Sequence, residues 1–273
     1  MNHPSRRTTR LLATSAVGAM LAAAMAAPIA GATSVAWPPD ATWTLNGNAA
    51  VSGTTLNLTQ NLSNQDGSAW LNTPLASANL DVTFQVQMGV PWGADGVTLS
   101  FANPSTNPAT TLGSSGGGLG FTTDPTHVGV SGVGVALDTY QNVNDPSKNF
   151  VGILTGGTAA AKTWLATKTL TSSLYGSHNV EVTYVGGILT VLVDANQVLS
   201  TAVSLPSSVR VGFTGSTGGL TNVHSISNFS LSNGAELSTG GPNGALVVTT
   251  VAGVAFAVSG VAWRRRRLAH TAN

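Results

Sequence analysis

The chain has 273 residues, no cysteine and a formal net charge of +1, which excludes disulfide bridges, zinc-thiolate centres, iron–sulfur clusters and thiol nucleophiles. Its 32 glycines, 42% hydrophobic residues and only 8% charged residues are typical of a β-rich folded protein, in which Gly, Thr, Ser and Asn supply turns between apolar strands. Residues 37–243 carry four cations against ten carboxylates, a net charge of −6, which repels nucleic acid and suits a bound cation.

The N-terminal segment has the features of a secretory signal peptide. Three arginines among the first ten residues precede an apolar run over residues 11–27. Small residues then follow at Ala30, Gly31 and Ala32, as a signal-peptidase site requires. We therefore expect residues 1–36 to be a signal peptide; a retained transmembrane anchor is the alternative.

Apolar and polar residues alternate along several segments in the middle of the chain. Val82, Phe84, Val86 and Met88 alternate with polar residues, which predicts a half-buried β-strand. The same pattern recurs in the segments 180–185, 189–193, 209–213 and 226–231. Because an exported domain without disulfides depends on its core, we predict one large all-β domain over residues 37–231.

The C-terminal region has the order of parts of a membrane anchor. Residues 232–244 are a short Gly/Ser/Asn/Pro linker. Residues 245–263 are uncharged and would span roughly 28 Å as a helix, enough to cross the hydrocarbon core. Four arginines follow, so residues 264–273 are expected to be a cytoplasmic basic tail, with the domain outside the cell. Cell-wall attachment is an alternative, although Glu236–Gly240 lacks the leading Leu-Pro of the familiar sorting motif.

Oxygen donors cluster where one apolar strand ends. Hard cations prefer carboxylate, amide and carbonyl oxygens. The carboxylates of Asp138 and Asp145, the Asn142 amide oxygen and the Tyr140 main-chain carbonyl, completed by water, would give a calcium ion about six or seven ligands. The alternative is that these Asn, Asp and Pro residues only make a turn.

This segment resembles the metal-binding signature of the legume-type (L-type) lectins, E-x-D-x-[FY]-x-N followed by D-P and V-G-I. Three further segments resemble the family in the same order: Gly93–Ala102 its A-D-G-[FV]-x-F loop and strand, Gly116–Gly120 its glycine-rich loop, and Val211–Ser230 its V-G-F-S-A-x-T-G loop and closing strand. The resemblance extends from about Trp43 to Leu231 and implies a concanavalin-like antiparallel β-sandwich, or jelly roll.

The resemblance also implies a sugar site where these loops meet. Asp95, Asn142 and a glycine of the run, Gly117 or Gly118, would hydrogen-bond hydroxyl groups, and Tyr140 would offer an apolar platform. The variable position of the last loop, which adjusts the choice of sugar, is filled by Gly219 and Leu220. The family further implies a cis peptide bond between Ala94 and Asp95.

Two departures from the family concern a second metal. The first glutamate of the signature, a transition-metal ligand in the family, is Ala136, and the family's histidine ligand aligns with Phe150. We therefore expect the transition-metal site to be absent and calcium to bind alone, more weakly. His224 matches a histidine of the family's closing strand, for which we expect a structural, hydrogen-bonded role.

The resulting expectation is a cell-surface, calcium-dependent, carbohydrate-binding protein that catalyses nothing. One alternative is an adhesion scaffold without sugar affinity. A second is a glycoside hydrolase, which needs paired carboxylates; the only glutamates, Glu181 and Glu236, lie far from Asp138 in the sequence. The family implies that a homo-oligomer can form edge to edge. The Ala- and Gly-rich, Lys-poor composition is associated with a bacterial source.

Overall fold

Fifteen β-strands and one short 3-10 helix form the part of the chain that the computed structural model describes, residues 35–89 and 91–233. The strands are β1 (Trp43–Gly47), β2 (Ala50–Ser52), β3 (Thr55–Thr59), β4 (Asp66–Leu71), β5 (Leu75–Ala76), β6 (Leu80–Met88), β7 (Gly96–Ala102), β8 (Gly132–Asp138), β9 (Phe150–Thr158), β10 (Ala161–Thr169), β11 (Gly176–Val185), β12 (Ile188–Val193), β13 (Asn196–Ala202), β14 (Ser208–Ser216) and β15 (His224–Asn233). The 3-10 helix is Gly116–Gly118.

The strands form two antiparallel sheets, which confirms the predicted all-β sandwich. One sheet has eight strands in the order β1-β4-β14-β7-β8-β9-β10, with β5 also paired to β14, and the other has seven in the order β13-β12-β11-β6-β15-β3-β2. All five segments in which apolar and polar residues alternate lie within strands, namely β6, β11, β12, β14 and β15.

The main core lies between the two sheets. Along β6, buried residues alternate with more exposed ones because one face of the seven-stranded sheet packs inward and the other faces solvent. Phe84 of β6 contacts Phe213 of β14 across the gap, edge to face, with ring centroids 5.0 Å apart. His224 is fully buried, and its Nδ1 lies 2.8 Å from Thr59 Oγ1. The expected structural role of this histidine is confirmed.

The eight-stranded sheet is also covered on its outer face. Every residue of β7 is buried, so this strand shows no alternation. The connection between β7 and β8, residues 103–131, folds over the sheet and packs Leu119 and Phe121 against Trp70 and Ala136. This covering connection holds the glycine run against the end of the sheet.

Several predicted segments lie outside the described residues. They are the signal peptide (1–36), apart from its last two residues, most of the linker, and the membrane helix with its basic tail. Within the described part, we find no helix with the length and apolar character needed to cross a membrane.

Candidate functional site

The strand register brings three of the four predicted loops to one edge of the eight-stranded sheet. Gly96, the first residue of β7, is paired with Asp138 at the end of β8 and with Ser216 at the end of β14. The segment before β7 and the segments after β8 and β14 therefore begin side by side. The glycine run joins them, because Gly116 donates its N–H to Thr217 O at 3.0 Å.

Asp95 lies at the centre of these loops, on a cis peptide bond with Ala94 as the resemblance implied. Its main-chain N–H donates to Ser216 O at 3.1 Å, and its carbonyl oxygen accepts from Thr139 N at 2.9 Å. The side chain is only 3% exposed. The main chain thus anchors Asp95 to both neighbouring strands and fixes the position of its carboxylate.

Asn142 reaches Asp95 from the loop after β8. Its Nδ2 donates to Asp95 Oδ1 at 3.3 Å, and its main-chain N–H donates to Asp145 Oδ2 at 3.0 Å. Asp138 Oδ1 accepts from Tyr140 N at 3.0 Å within the same loop. These side chain–backbone bonds curl the loop so that its oxygen atoms face inward. The fold therefore brings together Asp95, Asp138, Asn142 and Asp145.

The loop leaves an unusual set of oxygen atoms without hydrogen bonds. Among the described residues, every buried side-chain oxygen that lacks a hydrogen-bond partner belongs to this site: Asp95 Oδ2, Asp138 Oδ2, Asn142 Oδ1 and Asp145 Oδ1. Buried polar atoms are nearly always satisfied, and unpaired ones are costly. Three of these four atoms belong to the predicted calcium ligands, whose fourth member is the Tyr140 carbonyl.

The donor chemistry of this set fits a hard cation. Two carboxylates, one amide oxygen and one carbonyl are the ligand types that calcium takes. In the described ranges, no group of three or more His, Cys, Asp or Glu side chains is arranged for a metal ion. A cation here would consequently depend on the amide and main-chain oxygens as well as on Asp138 and Asp145.

The electrostatics of the loop also favour a bound cation. Complete burial raises the pKa of the Asp138 carboxyl well above its ordinary value, and the neighbouring charge of Asp145 raises it further. Burial raises the pKa of Asp145, opposed by the charge of Lys162. Burial likewise raises the pKa of Asp95 to about 6. Burial of three carboxyl groups in one place therefore opposes their ionisation, and a bound cation would offset that cost.

The two predicted glycines occupy different positions. Gly117 lies against Asn142, and an added Cβ there would come within 2.5 Å of Asn142 Cγ. Gly118 is buried; its N–H donates to Ser115 O at 3.1 Å, and an added Cβ would overlap Ser114 Oγ. Of the two, Gly117 is the one that contacts the predicted site residues, whereas Gly118 packs beneath the run.

Three of the predicted residues form an exposed rim. Tyr140 is 39% exposed and Leu220 is 47% exposed. An added Cβ at Gly219 would meet no atom within 4 Å. An aromatic ring, an aliphatic side chain and an open backbone are therefore accessible to a ligand at these three positions.

Lys162 is a part of the site that sequence reasoning missed. Its side chain is completely buried, and Nζ donates to Asp145 Oδ2 at 3.0 Å and to Gly117 O at 2.8 Å. It lies on β10, in no recognisable motif. The one available signal was that a domain with only three lysines places one of them beside a tryptophan, at Lys162 and Trp164.

A groove of about 330 Å³ lies beside the site, next to Trp92. Trp92 is 76% exposed, and Lys148 Nζ lies 4.9 Å from its ring centroid. Polar groups that line this groove are already engaged: the Tyr175 hydroxyl lies within hydrogen-bond distance of Gly93 O and Thr139 O, at 2.9 and 3.1 Å. Tyr175, in the wall of the groove, thus supports the loops that carry Asp95 and Asp138.

Comparisons with known proteins agree with this geometry. Residues 37–243 match the model of the legume lectin domain family. A seed lectin of Vatairea macrocarpa is 33% identical over 148 residues, which cover 48% of this chain and 55% of the seed lectin. The chain therefore spans about half the length of this curated relative.

Solved structures share the fold. The lectin from Bauhinia forficata, in complex with GalNAc, superposes with a TM-score of 0.61 at 24% identity, covering 74% of this chain and 98% of that chain. The exoplasmic/lumenal domain of VIP36, in its Ca²⁺/Man-bound form, gives a TM-score of 0.56 at 20% identity, covering 70% of this chain and 82% of that chain.

Proposed function

The chain belongs to the legume lectin domain family, and on that premise we propose that its β-sandwich binds carbohydrate at the loops around Asp95, with calcium bound beneath. Asp95 and Asn142 would hydrogen-bond adjacent sugar hydroxyls, and Gly117 would present its backbone. Tyr140 would stack on the C–H face of the sugar, and Gly219 and Leu220 would border the opening.

The observation that carries the proposal is the pairing of Asp95 with Asn142. The Asn142 Nδ2 to Asp95 Oδ1 hydrogen bond, 3.3 Å long, joins two loops that are 47 residues apart in the chain. Both side chains retain a buried oxygen without a hydrogen-bond partner. A carboxylate oxygen that accepts and an amide NH₂ group that donates, held side by side, suit a ligand with adjacent hydroxyls, each of which can donate and accept.

Calcium would be held by Asp138, the Tyr140 carbonyl, Asn142 and Asp145. When bound, it supplies positive charge that offsets the buried carboxylates and fixes the Asn142 amide. The Asn142 Nδ2–H can then remain directed at Asp95 while its Oδ1 faces the ion. In the Ca²⁺/Man-bound structure of VIP36, the same fold binds this metal.

We propose no catalytic role for the domain. Glu181 lies on β11 of the seven-stranded sheet, whereas Asp138 ends β8 of the other sheet, so the two do not face each other across a substrate. Glycoside hydrolysis requires two carboxyl groups about 5–10 Å apart. The three carboxylates near the site are assigned to sugar and cation binding.

We further propose that the protein is exported and held at the cell membrane by residues 245–263, with the lectin domain outside. The support is the sequence pattern of these terminal segments. Display at a membrane would also supply avidity for clustered glycans, whether or not the domain forms a homo-oligomer.

Calcium titration calorimetry on the full-length protein, in a detergent without a sugar head group, tests the metal site. We expect wild type to bind one calcium ion and Asn142→Ala to bind it at least about tenfold more weakly, because a ligand is lost. Asn196→Ala is the matched control, since Asn196 is the exposed first residue of β13 and its side chain donates to the nearby Asp194 O.

Glycan-array binding with and without calcium tests the sugar site. We expect calcium-dependent binding to a restricted set of glycans, lost in Asn142→Ala and kept in Asn196→Ala. A folded wild-type protein that is indifferent to both calcium and glycans would refute the proposal and favour the adhesion scaffold.

A further inference from the structure

A fully buried lysine faces the acidic loop. Lys162 Nζ is 3.0 Å from Asp145 Oδ2 and 2.8 Å from Gly117 O, and neither side chain of the Lys162–Asp145 pair is exposed. Buried charges persist only when they are paired and hydrogen-bonded. Lys162 therefore places its amino group, paired with a carboxylate, between the glycine run and the loop after β8.

The loop itself brings Lys162 into reach. Asn144 Nδ2 donates to Ala160 O at 2.8 Å, which ties the loop to the turn between β9 and β10. Lys162 is the second residue of β10, directly after this turn. The position of the ammonium group is thus fixed by the contact between the loop and the turn and by the hydrogen bonds that Nζ makes to Asp145 and Gly117.

The charge of Lys162 acts on all three carboxylates of the site. It lowers the pKa of Asp145, Asp138 and Asp95 against the larger effect of burial. With calcium bound and all three carboxyl groups ionised, the three carboxylates and one ammonium group would sum to −2, which the calcium ion would neutralise. On that count, no negative charge is left for a second metal ion.

The positions of the family's other metal ligands are apolar. Ala136 is completely buried in the cluster that contains Trp70 and Leu154, and Trp164 packs against this cluster. Phe150 contacts Trp164 edge to face, with ring centroids 5.1 Å apart. Neither Ala136 nor Phe150 offers a metal donor, so the residues present do not fit a transition metal.

The ammonium group adjoins this apolar cluster. Lys162 Nζ lies 5.8 Å from the Trp164 ring centroid. In the Lys162–Asp145 pair, Asp145 Oδ2 accepts a hydrogen bond from the lysine, and Asp145 Oδ1 is the oxygen proposed to bind calcium. The Asp145 carboxylate would therefore contact two cations, the calcium ion and the Lys162 ammonium group.

We infer that Lys162 takes the place of the second metal ion, as a built-in cation that holds Asp145 and the Gly117 carbonyl together before calcium binds. It is a positioning residue, since it acts on the proposed calcium and sugar sites through Asp145 and Gly117. The expected number of bound metal ions rests on the proposed calcium site. The exchange experiment in chelator involves neither calcium nor sugar, so it tests the role of Lys162 separately from the proposed function.

The first test uses hydrogen–deuterium exchange of the full-length protein in excess chelator. Lys162→Met removes the charge and keeps the volume. It should reduce protection of residues 116–118 and 142–145 by at least about a hundredfold, because it leaves a buried carboxylate unpaired. Lys168→Met is the matched control, since Lys168 lies on the same strand but is exposed, and it should leave this protection unchanged. Equal protection in Lys162→Met and wild type would overturn the inference.

If Lys162→Met does not fold, Lys162→Gln, which keeps an N–H donor without the charge, is measured in the same way and judged by the same criterion. The second test needs no variant: Mn²⁺ is added to calcium-saturated wild type and the bound ions are counted by native mass spectrometry. We expect one divalent ion per chain. A second bound ion would overturn the inference even if glycan binding is as proposed.

Discussion

Replacing Gly117 by alanine tests whether the close contact between the glycine run and Asn142 sets the geometry of the site. The new Cβ would lie 2.5 Å from Asn142 Cγ and 2.7 Å from each of its amide atoms. Ordinary carbon contacts are about 3.5–4.0 Å, so the amide must move by about 1 Å. Because the Asn142 Nδ2 to Asp95 Oδ1 distance is already 3.3 Å, such a movement breaks this hydrogen bond.

The cost can be estimated from these contacts. Overpacking costs about 1–3 kcal/mol, and a hydrogen bond to a charged group contributes about 1.5–3 kcal/mol. The two effects share one cause and do not add, so we expect the free energy of unfolding to fall by about 1–3 kcal/mol. In a domain of this size each kcal/mol lowers the melting temperature by about 2–4 °C. Calcium affinity should fall about tenfold or more, because Asn142 Oδ1 moves with the amide.

Thermal unfolding in chelator and calcium calorimetry measure the two effects separately. Gly219→Ala is the matched control, because a Cβ there meets no atom within 4 Å. If Gly117→Ala melts with wild type and binds calcium within about twofold of it, the steric argument is refuted.

Three further predictions concern other residues. Burial lowers the pKa of His224 to about 3, so the folded state excludes a proton that the unfolded chain binds below pH 6.5. Above pH 6.5 the histidine is neutral in both states and does not reduce stability. As the pH falls from 6.5 towards 3, the free energy of unfolding should decrease by up to about 1.4 kcal/mol per pH unit. Urea titrations should show a smaller acid loss for His224→Gln, and equal losses would contradict the sign. Tyr140→Ala should weaken glycan binding about tenfold in calorimetry but leave calcium affinity unchanged, because the calcium ligand is the main-chain carbonyl. Arg210→Leu should lower the free energy of unfolding by about 1–3 kcal/mol in urea, because Arg210 donates to three main-chain carbonyls; an unchanged stability would show that these bonds contribute nothing.

The strands that face solvent on one side were predictable because their pattern is local. In β6, Val82, Phe84 and Val86 are buried while Asp81 and Thr83 are more exposed, and this follows from the twofold period of any strand in a half-buried sheet. The period fails for β7, which is buried on both faces. The second face is covered by residues 103–131, and that covering depends on the tertiary fold.

The members of the candidate site were predictable for a different reason. Asp138, Tyr140, Asn142 and Asp145 lie within eight consecutive residues, and a short loop after a strand necessarily keeps its own donors together. Asp95 was assigned through the family resemblance, and the register between Gly96 and Asp138 brings it to the same edge of the sheet.

The sequence by itself determined the sandwich class, the order of the loops and the donors of the loop after β8, since each depends on neighbours in the chain. Only the tertiary structure decided that the Lys162 ammonium group faces the acidic loop. Lys162 is 17 residues from Asp145 and 45 residues from Gly117, and apart from the nearby Trp164 nothing in its own strand distinguishes it from Lys168. The hairpin of β9 and β10 buries the first of these lysines against the acidic loop and leaves the second in solvent, because partners distant in sequence are set by how the sheet and its loops fold together.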